Sequence, residues 1–103
     1  MSTTTMDATS NKPGAVTATT QPRVGTGFRL QWEQVQDCHV LLYPEGMVKL
    51  NGSAGEIMTR CDGQRSVEAI AIDIETTHAL NGLQADVLAF VALAAKQQWL
   101  TWE

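Results

Sequence analysis

The sequence predicts a small α+β domain, a three-stranded antiparallel sheet followed by three helices. Three patterns carry that expectation. Apolar residues alternate with polar ones from Phe28 to Glu33, the period of a strand with one apolar face. A dense apolar run, His39 to Tyr43, leads into Pro44-Glu45-Gly46, a strong turn signal. Beyond Asn51 the period changes to that of a helix and stays so almost to the C-terminus.

Each element has a local reason. Phe28, Leu30 and Trp32 share one face of the first strand, and Arg29, Gln31 and Glu33 the other. The run His39 to Tyr43 suits a central strand covered on part of both faces. The third strand, Gly46 to Asn51, places Val48 and Leu50 on one side and Met47 and Lys49 on the other, and pairs with the second as a hairpin. Ser53 with Glu56 fits a capping box, and Ala54, Ile57, Met58 and Cys61 form the stripe of the first helix. Asp62-Gly63 stops it. Ser66 caps the second helix, whose stripe is Val67, Ile70, Ala71, Ile74 and His78. Asn81-Gly82 breaks the chain before the last helix, Leu83 to Gln98. That helix carries two apolar arcs, Leu83, Val87, Phe90, Val91 and Ala94 on one, Leu88, Ala92, Ala95 and Trp99 on the other. One core face needs a single arc. The second either contacts another neighbour or lines a groove for a partner.

Residues 1–27 differ from the rest. Thr-rich, with Pro13 and Pro22 and few large apolar side chains, they are expected to be disordered, leaving 28–103 as the domain. Met1 to Gly27 lacks the charged start and apolar core of a signal peptide, so a reducing cytoplasm is the expected compartment. Cys38 and Cys61 are then expected as free thiols.

Composition excludes several function classes. Seven Lys and Arg against 11 Asp and Glu give a net charge of -4, unfavourable for binding nucleic acid or an anionic membrane. No apolar run approaches the roughly 20 residues of a membrane span. Cys38, His39, Cys61 and His78 lack metal-ligand spacing, and neither a P-loop nor a nucleophile elbow occurs. No metal site, cofactor or catalytic residue is expected. Sheet-then-helices order resembles winged-helix domains, which makes a DNA-binding regulator the alternative reading. Against it, residues 66–98 hold Lys96 as their one fixed cation beside Glu68, Asp73, Glu75 and Asp86.

Peptide binding is the reading the residues favour. An edge strand offers unpaired backbone groups to an extended guest. Four or five hydrogen bonds at ~1 kcal/mol each fall short of the roughly 8 kcal/mol of a micromolar complex. Ordering a disordered guest costs about 2–5 kcal/mol more. Apolar burial of about 250–300 Å² at ~25 cal/mol per Å² would supply the difference, and the second arc of the last helix offers it if that arc flanks the third strand. The same edge could pair with a second copy of the chain, making a homodimer the competing occupant.

The stretch Phe28 to Gly63 strongly resembles the PqqD family, the small peptide chaperones of pyrroloquinoline quinone (PQQ) biosynthesis. RLQWE (Arg29 to Glu33), LLYPEG (Leu41 to Gly46), the Lys49 to Ile57 segment and CDG before Ser66-Val67 carry the likeness. It implies a winged-helix-like recognition domain that binds the leader of the precursor peptide PqqA. It further implies presentation of that peptide to the radical SAM enzyme PqqE, with no cofactor or catalysis of the domain's own. By the same resemblance, Met47, Val48, Lys49, Leu50 and Asn51 pair with the leader, and Val87, Leu88 and Val91 form its pocket. Arg29 and Glu33, outward on the first strand, are candidates for docking the enzyme. Trp32 and Tyr43 are expected as core aromatics.

Overall fold

The computed structural model describes residues 15–103. Its order is β1 (Arg23–Val24), β2 (Arg29–Glu33), β3 (Cys38–Tyr43), β4 (Gly46–Lys49), α1 (Gly52–Met58), α2 (Val67–His78), α3 (Gln84–Lys96) and β5 (Leu100–Thr101). Strands β2, β3 and β4 form the antiparallel sheet in chain order, and β1 pairs with β5 in a second, two-stranded sheet. The expected α+β architecture is therefore present.

Strand β3 lies at the centre because both its faces are apolar. Val40 and Leu41 point opposite ways, and neither is exposed to solvent. Leu41 joins the helices in the core, with Leu50, Met58, Ile70, Val87, Val91 and Leu100. Register follows the hairpin: Tyr43 faces Gly46 across Pro44-Glu45, and Val40 faces Lys49. Trp32 is not a core aromatic. It has the helix-side parity of Leu30, yet half its surface is exposed (51%). Helix α1 passes over His39, where a Cβ on Gly55 would lie 3.1 Å from the ring. Trp32 instead packs edge-on against His39 at 5.0 Å, and Tyr43 lies beside Phe28 at 5.5 Å.

The start of α1 differs from expectation. Asn51, not Ser53, is the N-cap, its side chain accepting the Ala54 amide at 2.8 Å. Strand β4 accordingly ends at Lys49, and Glu56 is released from a capping role. Ala54, Ile57 and Met58 are buried on one face as expected, but the helix ends at Met58 with Thr59 as C-cap, short of Asp62-Gly63, and Cys61 is buried beyond it. Ser66 caps α2 by accepting the Ala69 amide at 3.0 Å. That helix closes at Ala79 in the left-handed conformation (φ 54°). Helix α3 starts without a side-chain cap and ends before Gln97. The chain turns at Gln98 (φ 67°) to form β5, which sequence reasoning folded into the helix end.

The larger correction concerns residues 15–27. Expected disorder over 1–14 lies outside the described residues. Residues 15–27 instead form a strap over the helices. Pro22 is fully buried, and Val16 and Val24 pack on the core. Carbonyls of Thr20 and Ala18 accept the amides of Val67 and Glu68, satisfying donors that the first turn of α2 leaves free. Pro22 accepts the Gly63 amide, and Arg23 pairs with Glu103 at 2.9 Å. Gly25 donates to the Trp99 carbonyl at 2.8 Å, and a Cβ there would run into the Gln98 carbonyl. Backbone bonds do this work, so composition, which measures apolar content, underestimates the segment.

Candidate functional site: an open strand edge

Strand β4 is an edge of the sheet, and register decides which of its backbone groups are free. The Leu50 amide donates to the His39 carbonyl at 3.0 Å. Antiparallel pairs alternate between bonded and non-bonded. With Val48 opposite Leu41 and Gly46 opposite Tyr43, those pairs are bonded and the pairs at Met47 and Lys49 are not. The N–H and C=O groups of Met47 and Lys49 therefore point away from β3. Among the described residues no further strand covers them.

Side chains divide the other way. Val48 and Leu50 turn toward the helices, half-buried and buried, whereas Met47 and Lys49 lie exposed on the outer face. Met47 and Lys49 thus offer backbone, and Val48 and Leu50 shape the wall facing the helices. Asn51 is exposed, but its side chain is committed to capping α1.

The arcs of helix α3 differ in burial, although Leu83 and Phe90 of the first arc are half-buried like the second. Val87, Val91 and Ala94 are buried at 2% exposure or less and belong to the core. Leu88, Ala92, Ala95 and Trp99 are half-buried. Of the three α3 residues expected in a pocket, Val91 is closed off as core and Leu88 lies on the open arc. Val87 turns one side to a cleft.

That cleft, of about 390 Å³, lies where α1 begins, α2 ends and α3 begins. Gly52 and Ser53, just past the end of β4, form part of its lip. Its walls are apolar: Ile57, Ile74, Leu80, Leu83 and Val87. Glu56, His78 and Asp86 supply the polar rim. Glu56 bonds Arg60 at 2.7 Å and His78 at 3.0 Å, and its carboxyl is held below its ordinary range chiefly by the Arg60 hydrogen bond. Arg60 also reaches Asp73 at 2.5 Å, which lowers that carboxyl too. These bonds tie α1 to α2. Glu75 accepts the Leu83 amide at 2.8 Å, which fixes the turn before α3 in place of a cap.

The opposite edge carries the docking candidates. Arg29 donates to Gln31 at 3.4 Å, and Gln31 to Glu33 at 3.3 Å. Arg29 and Glu33 thus stand on one outward face with Gln31 between them, and not as a direct ion pair. Cys38 and Cys61 are free thiols. Burial, helped by the Asp62 charge, pushes the Cys61 thiol up to about 12, so it stays protonated near neutrality. Among the described residues no group of three or more His, Cys, Asp or Glu could hold a metal ion. Nor is any helix there long and apolar enough to cross a membrane.

An antiparallel sheet with a free edge, backed by three helices, defines a small winged-helix-like domain. Comparison with known proteins makes the class specific. A family model described as coenzyme PQQ synthesis protein D (PqqD) matches residues 38–100. A PqqA binding protein of Stutzerimonas stutzeri is 48% identical over 80 residues, covering 77% of this chain and 87% of the relative. One from Pseudomonas aeruginosa is 52% identical over the same shares. The solution structure of the PqqD part of Methylobacterium extorquens PqqCD, described as a functional, stand-alone recognition element for ribosomally synthesized and modified peptides, superposes with a TM-score of 0.71. It is 31% identical and is covered to 96%, against 85% of this chain. The chain belongs to the PqqD family.

Sequence reasoning missed the cleft. Its one trace in the sequence is the pair Leu80 and Leu83 flanking Asn81-Gly82, apolar residues in a stretch otherwise read as a break.

Proposed function

We propose that this protein is a peptide chaperone of PQQ biosynthesis, acting in the cytoplasm without chemistry of its own. It captures the precursor peptide PqqA by strand addition and presents it to the radical SAM enzyme PqqE. The observation that carries the reading is the outward set of backbone groups at Met47 and Lys49. Those two residues supply two donors and two acceptors, about 4 kcal/mol at ~1 kcal/mol per bond. The remainder of a micromolar affinity is assigned to apolar contact with Val48 and the open arc around Leu88. Names of relatives near 50% identity, PqqA binding proteins, support the guest's identity. Arg29 and Glu33 stand away from the β4 edge, so a docked enzyme and a bound guest would not compete for one strand. Holding the guest at the enzyme raises its local concentration.

Lys49→Pro tests this. Proline removes an outward donor and its ring obstructs the ladder, while no internal hydrogen bond of the sheet is lost. Titration calorimetry with synthetic PqqA is expected to show binding abolished and the circular dichroism spectrum retained. Unchanged affinity would overturn the edge assignment.

A further inference from the structure

Strand β2 is the other free edge of the sheet, and its residues are matched to a second copy of themselves. Arg29, Gln31 and Glu33 are the residues bonded to β3, so the N–H and C=O groups of Leu30 and Trp32 point outward. Among the described residues no further strand covers them. Two such edges, antiparallel about a two-fold axis at Gln31, set Leu30 of each copy opposite Trp32 of the other. Both residues carry outward groups, so these pairs are bonded, with four hydrogen bonds in all. Arg29 then lies opposite the partner's Glu33, and Glu33 opposite the partner's Arg29, in the non-bonded pairs where side chains stand closest. Neither residue enters an ion pair among the described residues, and they are linked through Gln31 at 3.4 and 3.3 Å. On the helix side Trp32, 51% exposed, meets the partner's Leu30. Moving the register by one residue sets outward groups against inward ones, and moving it by two sets Gln31 opposite a charge. An edge so charged resists strands in general and accepts one whose charges run in the opposite order.

We propose that β2 closes on β2 of a second copy in this register, joining two three-stranded sheets into one of six strands. The contact falls well short of the roughly 20–30 residues a side of a stable interface, so the dimer is weak and concentration-dependent. Strand β4 stays open in both copies, and each still takes a guest. The two-fold contact covers Arg29 and Glu33, so on the docking reading given above the enzyme and the second copy exclude each other.

Sedimentation of the full chain, without peptide, tests the proposal. Dimer should be populated near ~0.1 mM chain and mostly dissociated near ~1 μM. Arg29→Glu and Glu33→Arg, each alone, set like charges opposite each other twice and should weaken self-association by about tenfold or more. Mixed in equal amounts, the two variants should form a heterodimer about as tight as the original pair, because one chain then supplies only acidic and the other only basic residues at positions 29 and 33. The double variant should again pair with itself. Misfolding would not be rescued by mixing. Trp32→Pro removes an outward donor and should abolish the dimer, with the circular dichroism spectrum and the affinity for synthetic PqqA retained. Lys49→Pro should leave the dimer intact, so pairing at β2 and guest capture at β4 fail independently. A chain that stays monomeric at about tenfold higher concentration overturns the proposal, as does a dimer that survives both single charge reversals. A dimer that Lys49→Pro removes pairs through β4, and overturns it equally. Added radical SAM enzyme should drain the dimer, whereas a complex that keeps two paired copies moves the docking surface off Arg29 and Glu33 and leaves the pairing standing.

Discussion

The sheet has two edges with the same hydrogen-bonding capacity and different surroundings. On β4, Met47 and Lys49 turn their backbone groups outward. On β2 the same alternation leaves Leu30 and Trp32 outward, because Arg29, Gln31 and Glu33 are the residues bonded to β3. Past the end of β4 the chain forms, at Gly52 and Ser53, part of the lip of an apolar cleft. Strand β2 has a row of Arg29, Gln31 and Glu33 on its outer face and a half-exposed Trp32. Charged side chains along an edge discourage strand pairing. Free backbone groups are therefore common to both edges, and apolar surroundings are what distinguish the proposed binding edge.

The largest expected effect separates the two edges directly. Lys49→Pro should reduce PqqA affinity by at least hundredfold in calorimetry, about 2.7 kcal/mol. Trp32→Pro removes an outward donor from the other edge and should leave affinity within about threefold, roughly 0.7 kcal/mol. Equal losses would erase the comparison. Next come the two faces of α3. Val91→Ala opens a cavity in the core and should lower unfolding stability by about 2 kcal/mol in urea titration. Leu88→Ala should cost about 1 kcal/mol or less in stability and about tenfold in PqqA affinity. The reverse pattern would mean that the wrong arc has been assigned to the groove. Gly25→Ala tests the strap, where a Cβ meets the Gln98 carbonyl. It should lower the melting temperature, with a stability loss of about 1–3 kcal/mol, and leave PqqA affinity of the folded protein unchanged.

The smallest effect is a pH dependence. The carboxyls of Glu56 and Asp73 are lowered by their bonds to Arg60. Their contribution to stability is present above the ordinary carboxylate range and is lost as pH falls through the lowered values. Melting temperature should therefore fall from pH 5 to pH 3, and less steeply in Arg60→Met than in the unsubstituted protein.

Much of this was legible in the sequence where one residue type has one physical use. Period-2 alternation gave β2, Pro44-Glu45 gave the hairpin, and Ser66 gave the start of α2. Asn51 and Ser53 are both good caps, and periodicity alone does not say which of them sits where strand becomes helix. The strap was missed because its contribution is carbonyl oxygens lent to α2, invisible to a count of apolar residues. Strand β5 was missed for a related reason. Gln98 adopts a left-handed conformation that glycine or asparagine would have advertised. Of the expected site, the edge residues were legible from alternation, whereas the choice between the arcs of α3 depends on packing with α2. The cleft depends on three helix ends meeting, and no local pattern encodes that.

The pleat of β4 puts hydrogen-bonding atoms and side chains of positions 47 and 49 in different directions. Under strand addition, evolution is then free to vary those two side chains widely, since what the guest needs there is an amide hydrogen and a carbonyl oxygen. Purifying selection at these sites should act against one amino acid, proline, while tolerating nearly all others. A deep mutational scan would show such positions as permissive although they sit at the centre of recognition.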